Sequence, residues 1–532
     1  MSKKNTGSHS TAAVSKVKFP ERKTGESFPL RVAAIDMGSN AIRFVAAEFL
    51  SSQRYIVLES ERARVRLGAE TFRQGRLSAA AMQAAYRALA RFQERMRVLR
   101  ISHARLVATS AVRESSNGEA FAARVQKGLG LTLEIISGSE ETQLVYRALK
   151  PQLRPGKRPW LLANLGGGSL EAALVNQDGV LVSETHTLGA VRLWEEFKAS
   201  AHKPKIFLRL LEEYVATLRL GFQETGRPWA GLLATGGNIE ELAKMAKAPE
   251  TAKGIRELSA AALRRLLEAL LATPLKQRMA RWGIYPDRAD VVVPAAVVYL
   301  HLSQLSGQAK FRVPEVGTKE GILFDLVDRL TLNSAYALRQ EKQLTHMSLS
   351  LGRRYQFDEA HGRQVSRLAL SLFKQLRAWH GLGPEDQRLL LVASLLHDIG
   401  AYISYKKHHK HSLYLISQSE LPGFSPEDML LAANVARYHR KNTPSLDHES
   451  YASLLPAQRL RVAKMASLLR IADALDRDHA QTLREVAVRV KRPWLELKIT
   501  GKDPRELEHW ALERKAQLFT QLFKLRVRIV AR

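Results

Sequence analysis

The sequence contains no cysteine, which rules out disulfides and thiolate-held zinc and fits a reducing compartment. It has no apolar run long enough to span a bilayer, and Met1–Pro20 lacks the apolar core of a secretory signal. These absences lead to the expectation of a soluble, cytoplasmic protein with no membrane partner. Acidic residues are scarce: 52 Asp and Glu stand against 82 Lys and Arg, a formal net charge of +30. A field of that sign concentrates polyanions at the surface whatever the fold. No motif that reads bases is present, so no specific nucleic acid is expected. Condensed phosphates and nucleotides are the polyanions left to consider.

At 532 residues the chain is too long for one core. Residues 1–30 are rich in Ser, Lys and Thr without apolar periodicity and read as a disordered basic tail. From Arg31 the pattern runs strand, glycine turn, strand, strand, then a helix opened by Ser78 as N-cap, with Met82, Tyr86, Leu89 and Phe92 at helical spacing. The same order restarts at Trp160. An element order that appears twice predicts a duplicated α/β architecture, two lobes facing across a cleft, although identity between the halves is too low for a sequence repeat. Ligands on such sheets sit at the carboxyl ends of the strands. The expected units are lobe I at 31–151, lobe II at 152–330, a helical domain at 344–480 behind a polar connection, and a small basic α+β unit at 481–532.

Four glycine-flanked segments carry the chemical signal: IDMGSN (Ile35–Asn40), ISGSEE (Ile136–Glu141), NLGGGSLE (Asn164–Glu171) and ATGGN (Ala234–Asn238). The first, third and fourth follow apolar runs of strand length, so each reads as a strand entering a tight turn whose bare backbone can approach an anion. ATGGN also opens a helix, whose orphan amides and dipole favour an anion. Asp36 ends its strand where a cation can be held. Glu171 lies just beyond the triple glycine and suits a divalent ion that bridges phosphate oxygens. In ATSAVRES (Ala108–Ser115) an arginine fork at Arg113 can clamp a terminal phosphate. Either Glu140 or Glu141 can accept a proton from attacking water, and spacing alone does not choose between them.

Taken in order, these segments resemble the exopolyphosphatase and guanosine pentaphosphate phosphatase (Ppx/GppA) family. The likeness continues through LGAVRL (Leu188–Leu193), RADVVVPAA (Arg288–Ala296) and VGTKEGIL (Val316–Leu323). It implies two duplicated actin-like (ribonuclease H-like) lobes and hydrolysis of phosphoanhydrides. The substrate it implies is inorganic polyphosphate, cleaved processively from the end, or a guanosine penta- or tetraphosphate. A homodimer, magnesium or manganese, and a monovalent cation such as potassium are implied as well. The same resemblance makes Glu141 the general base and Arg113 the phosphate clamp. It assigns phosphate contacts to Ser39, Asn40, Gly166, Gly167, Gly168, Ser169, Gly236, Gly237 and Asn238, and magnesium to Asp36 and Glu171. Asn164 replaces the family's usual Asp, and its amide oxygen is expected to serve the metal without contributing charge. Ala41 and Asn238 stand where the family has Ser and Thr.

In the helical region His361, His397-Asp398, His411, His439 and Asp473 resemble the metal-binding pattern of the HD-hydrolase superfamily, which implies a second metal site at His361, His397, Asp398 and Asp473. Lys406–His411 and Arg437–Lys441 add a basic surface that reads as a track for a long polyanion. Excess Lys and Arg favours the polymer as substrate. The competing readings are a pentaphosphate 5′-phosphohydrolase, a non-catalytic phosphate-binding protein whose Asn164 marks lost catalysis, and a kinase of the same superfamily, for which no adenosine motif is found.

Overall fold

The computed structural model describes residues 26–530 apart from 154–155, 224, 226, 252–253, 332, 441 and 502–505. The expected basic tail lies outside the described residues up to residue 25, and Leu30 already opens the first strand.

Lobe I is a sheet of β1 (Leu30–Met37), β2 (Ile42–Phe49), β3 (Tyr55–Ala63), β4 (His103–Ala108) and β5 (Leu133–Ile135), in the order β3-β2-β1-β4-β5. The first three strands form an antiparallel meander, and β4 and β5 extend it in parallel. Central β1 is buried along nearly its whole length, as its almost continuous apolar sequence requires when both faces of a sheet are covered. One face packs against the helix Ala79–Val98, which Ser78 caps through the Ala81 amide. There Leu89, Phe92 and Met96 are buried, and Phe92 stacks on Phe44 at 5.1 Å.

Lobe II contains β6 (Trp160–Leu165), β7 (Leu170–Asn176), β8 (Gly179–His186), β9 (Leu232–Thr235), β10 (Ile255–Ser259) and β11 (Lys310–Pro314), ordered β10-β11-β9-β6-β7-β8. Read from β8, this sheet repeats the lobe I order and strand directions, with β10 added as an antiparallel edge. The duplicated actin-like architecture is thus present in the strand order itself. Strands β10 and β11 are short, and their alternation is too brief to stand out in the sequence.

The last segment of the expected lobe II, up to residue 330, packs with lobe I instead. The helix Thr318–Thr331 covers the second face of the lobe I sheet, where Ile322, Leu323 and Leu326 meet Val32, Ala34 and Phe49. Its Asp325 pairs with Arg105 of β4 at 2.9 Å, and that guanidinium also reaches Glu134 and Glu140. Arg105 is only 3% exposed. Arg105→Leu takes the buried cation from Asp325, which keeps Arg147 and Arg329, and from the partly buried Glu134 and Glu140, and is expected to cost about 1.5–3 kcal/mol, measured by urea unfolding.

From residue 333 the polar connection expected at 331–343 is helical, part of a helix over Asn333–Arg354. Leu344, Met347 and Leu349 on that helix are buried, so packing supplies a face that the polar N-terminal half does not advertise. The helices that follow share one apolar core with β12 (Leu483–Lys491), β13 (Trp494–Gly501) and β14 (Arg526–Val530). The C-terminal strands therefore have no separate core, in contrast to the independent unit expected. Among the described residues no helix is long and apolar enough to cross a membrane.

Candidate active site in the inter-lobe cleft

The predicted turns meet where the two sheets face each other. β1 ends at Asp36 and Met37, and the turn that follows brings Ser39 Oγ within 2.8 Å of Ser110 Oγ, both buried. From lobe II, the turn between β6 and β7 presents Gly166–Ser169. Its glycine carbonyls accept from the amides of Gly189, Ala190, Val191 and Arg192. This leaves the amides of Gly167 and Gly168 directed elsewhere. Among the described residues, the N–H groups of Ser39, Asn40, Gly167, Gly168, Gly237 and Asn238 donate to no backbone carbonyl. Gly237 and Asn238 open the helix Gly237–Met245. Gly236 has a φ of 104°, and a Cβ there would fall 2.7 Å from the Leu165 carbonyl oxygen, so the turn requires glycine.

The triple glycine was expected to admit a ligand, and what approaches it in this structure is the other lobe. A Cβ on Gly168 would collide with the Phe72 ring and come 2.5 Å from Ser110 Oγ. One on Gly167 would lie 3.0 Å from Ser39 Cβ. Arg192 closes the same contact, with its guanidinium 4.1 Å from the Phe72 ring centre and its Nε donating to the Gly168 carbonyl at 2.9 Å. The Asn40 side chain is likewise engaged between the lobes. It donates to the Asp287 carbonyl at 2.8 Å and accepts from Arg66 at 2.9 Å, and Arg66 pairs with Asp290. Of the Asn40 donors, the backbone N–H is the one left for an anion.

Glu140 and Glu141 are separated by packing. Both lie in the first turn of the helix Gly138–Leu153. Glu140 turns to Arg105 at 2.6 Å, away from the cleft. Glu141 is 7% exposed and accepts from Asn164 Nδ2 at 3.1 Å, across the lobe boundary. The same Nδ2 donates to Glu171 Oε2 at 3.1 Å, and Ser169 donates to Glu171 Oε1. Glu141 Oε2 is buried and receives no hydrogen bond among the described residues. Burial pushes the Glu141 carboxyl well above the ordinary carboxylate range, and Glu171 and Asp36 add to this while Arg113 and Asn164 oppose it. Glu171 is raised too, chiefly by burial. Arg113 is held by the Ile136 carbonyl at 2.8 Å, close enough to act on both carboxylates.

Asn164 departs from its expected part. Its Oδ1 accepts from Thr235 at 3.2 Å, and its NH₂ lies between the two glutamates. An amide donor between two carboxylates relieves repulsion that a metal-facing oxygen would increase. Asp36 pairs with Arg43 at 3.0 Å. Arg43 and Ser110 drew no attention in the sequence, the first because a strand arginine looks solvated, the second because its partner Ser39 is 71 residues away.

The pattern in the helical domain converges in part. His361 Nε2 lies 3.6 Å from Asp473 Oδ1, and His397 Nε2 lies 3.7 Å from Asp398 Oδ2. His439 joins Asp398 at 3.2 Å, but the place expected for His411 is taken by His408, three residues earlier, at 3.1 Å. Beyond the cleft, a cavity of about 2180 Å³ runs from Arg113 and Ser137 along lobe I to Arg388 and Phe424 of the helical domain. Acidic side chains are at least as numerous as basic ones along its wall.

Comparison with known proteins agrees with this geometry. Residues 48–330 match the Ppx/GppA phosphatase family, and residues 339–517 match the model described as Ppx/GppA phosphatase, domain III. The guanosine-5'-triphosphate,3'-diphosphate pyrophosphatase of Aliivibrio fischeri (strain MJ11) is 26% identical over 481 residues, covering 89% of this chain and 93% of that protein. Its counterpart from Vibrio vulnificus (strain YJ016) is 26% identical over 445 residues, 82% and 86% of the two chains. Among solved structures, an exopolyphosphatase from Cytophaga hutchinsonii ATCC 33406 superimposes with a TM-score of 0.52 at 25% identity, covering 56% of this chain and 98% of that one.

Proposed function

Because the chain belongs to the Ppx/GppA phosphatase family, and so hydrolyses phosphoanhydride bonds, we propose that it is an exopolyphosphatase that removes terminal phosphates from inorganic polyphosphate. The observation that carries this reading is Glu141: a buried carboxylate with one unbonded oxygen, beside an arginine and a set of free amides. When the lobes part, the amides of Ser39, Asn40, Gly167, Gly168, Gly237 and Asn238 hold the terminal phosphate, and Arg113 pairs with its oxygens. Glu141 takes a proton from water as the water oxygen bonds to the terminal phosphorus. The bridging P–O bond breaks, and the shortened chain leaves with the electron pair.

The donor set fits a hard divalent cation, because the carboxylates of Asp36, Glu171 and Glu141 are all buried and Asp36 and Glu171 both act on Glu141. Asp36 and Glu171 would hold magnesium, with Arg43 giving up its hold on Asp36. When bound, the ion neutralises charge on the transferred phosphoryl group. The net charge of +30 supports a long polyanion as substrate.

A second reading, guanosine pentaphosphate 5′-phosphohydrolase, is favoured by two observations. The relatives that span most of the chain carry that activity in their names, and the mixed charge of the adjoining cavity suits a compact nucleotide better than a polymer track. Orthophosphate release from long-chain polyphosphate and from pppGpp, with and without magnesium, separates them. Turnover of the polymer is the expected result. Cleavage of the nucleotide alone replaces the first reading with the second, and release from neither leaves a binding protein.

A further inference from the structure

We propose that the outer face of the C-terminal sheet binds single-stranded RNA, with its arginines and lysines on the phosphates and an unpaired base stacked on Trp494. The sheet is β12-β13-β14, and its inner face is apolar: Val486, Leu495, Leu497 and Ile499 lie in the core shared with the helices. Side chains alternate across a strand, so the residues between these turn outward. Ala487, Arg489 and Lys491 of β12, Lys498 and Thr500 of β13, and Arg526 and Arg528 of β14 are all exposed. Trp494 and Glu496 stand among them.

Strand register sets the pattern. Lys491, Trp494 and Arg526 lie side by side across the three strands, Arg489, Glu496 and Arg528 form the next row, and Ala487 and Lys498 belong to the one after. Five cations therefore share this face with two carboxylates, Glu496 and, at the far end opposite Thr500, Glu485. Glu496 is already engaged: it is 7% exposed, pairs with Arg528 at 2.7 Å and lies 3.8 Å from Lys491. Arg489, Lys498 and Arg526 form no ion pair among the described residues. Clustered charges of one sign repel one another, and a bound polyanion relieves that repulsion.

The indole decides among polyanions. The guanidinium carbon of Arg528 lies 4.7 Å from the Trp494 ring centre and that of Arg526 lies 5.9 Å from it. An indole and neighbouring guanidinium planes are surfaces on which bases stack, and each stacked base adds to the phosphate contacts. Inorganic polyphosphate has no ring to place there. Duplex DNA keeps its bases paired inside the helix, whereas RNA leaves bases unpaired in loops, bulges and ends. An open sheet face with an aromatic side chain among cations is one of the forms in which proteins hold single-stranded RNA.

Stacking and phosphate contacts do not read base edges, so the binding expected is tolerant of sequence. The face lies outside both the inter-lobe cleft and the cavity beside it, whose wall carries mixed charge. The proposal therefore stands or falls apart from the phosphatase reading.

The test titrates the full chain into a fluorescein-labelled uridine oligonucleotide and follows anisotropy over a range of potassium chloride concentrations. Trp494→Leu is expected to weaken binding about 5–100-fold, and Trp494→Phe to restore most of it. The Arg489→Gln/Lys498→Gln double variant is expected to bind more weakly and to lower the slope of log Kd against log salt by about 1.4. Competition by polyphosphate should not respond to Trp494→Leu. Circular dichroism shows whether each variant folds; if Trp494→Leu does not, the exposed double variant and the preference of the wild type for oligouridine over polyphosphate at fixed salt carry the test. Equal affinity for oligouridine in the wild type and the folded variants overturns the proposal. Weakening in the charge variant without weakening in folded Trp494→Leu makes the face a general polyanion surface and overturns the RNA reading, as does tighter binding of duplex DNA or of anionic phospholipid vesicles than of oligouridine.

Discussion

Glu141→Gln is expected to lower orthophosphate release by about 10²–10⁴-fold while making the protein more stable at neutral pH. The activity loss follows from removing a cleft carboxylate oxygen that is buried and unbonded among the described residues. The stability gain follows from linkage. Burial and the charges of Glu171 and Asp36 raise the folded-state pKa of Glu141 above its unfolded value of about 4.3. A group raised in this way contributes stability that is complete below the unfolded pKa and is lost as pH rises through the folded one. At neutral pH the fold therefore carries the cost of burying this carboxyl, either as an ionised group or by taking up a proton. Glutamine keeps the acceptor for Asn164 and removes the charge, a gain of about 1–3 kcal/mol. Urea unfolding at pH 7 and pH 5 checks the sign: the difference between variant and wild type should shrink at the lower pH. A variant that loses activity together with stability would make Glu141 a structural residue.

Arg113→Ala is expected to reduce kcat/KM by about 10²–10³-fold, and to move the acidic limb of the wild-type pH profile upward. Two effects act together. The guanidinium is held at the Ile136 carbonyl, where it can fork a terminal phosphate. It also pulls the Glu141 carboxyl down against the effect of burial, so its loss leaves Glu141 protonated to higher pH. Arg113→Lys separates the two, because an ammonium restores charge without the planar fork. The lysine variant should recover the position of the limb but not KM. An alanine variant with an unchanged pH profile would show that Arg113 does not act on the base.

Features decided within a few residues were legible in the sequence. Glycine after an apolar strand marks a tight turn wherever it occurs, so the turns at Gly38, Gly166–Gly168 and Gly236 were visible one by one. The N-cap at Ser78 and the buried stripe of its helix followed from side-chain spacing. Glu140 and Glu141, by contrast, are neighbours on a helix and point about 100° apart. Which one faces the cleft depends on where Arg105 sits in β4, 35 residues earlier. His408 and His411 differ by less than one helical turn, and the rotation of their helix decides between them. The polarity of Asn164 depends on Thr235 and two glutamates from separate elements.

What the sequence alone determined is the inventory: two rounds of strand, glycine turn, strand and strand, a polyanion-attracting charge, and the residue types for phosphate and metal chemistry. Local backbone preference and hydrophobic period act over a handful of residues, so they can be read in order along the chain. The tertiary structure decided which side chains share a pocket. It placed the helix Thr318–Thr331 on lobe I, set Phe72 and Ser110 against the triple glycine, and aimed Glu141 at Asn164. These outcomes depend on contacts between segments distant in the chain, where packing and burial choose among placements that local preference leaves equal.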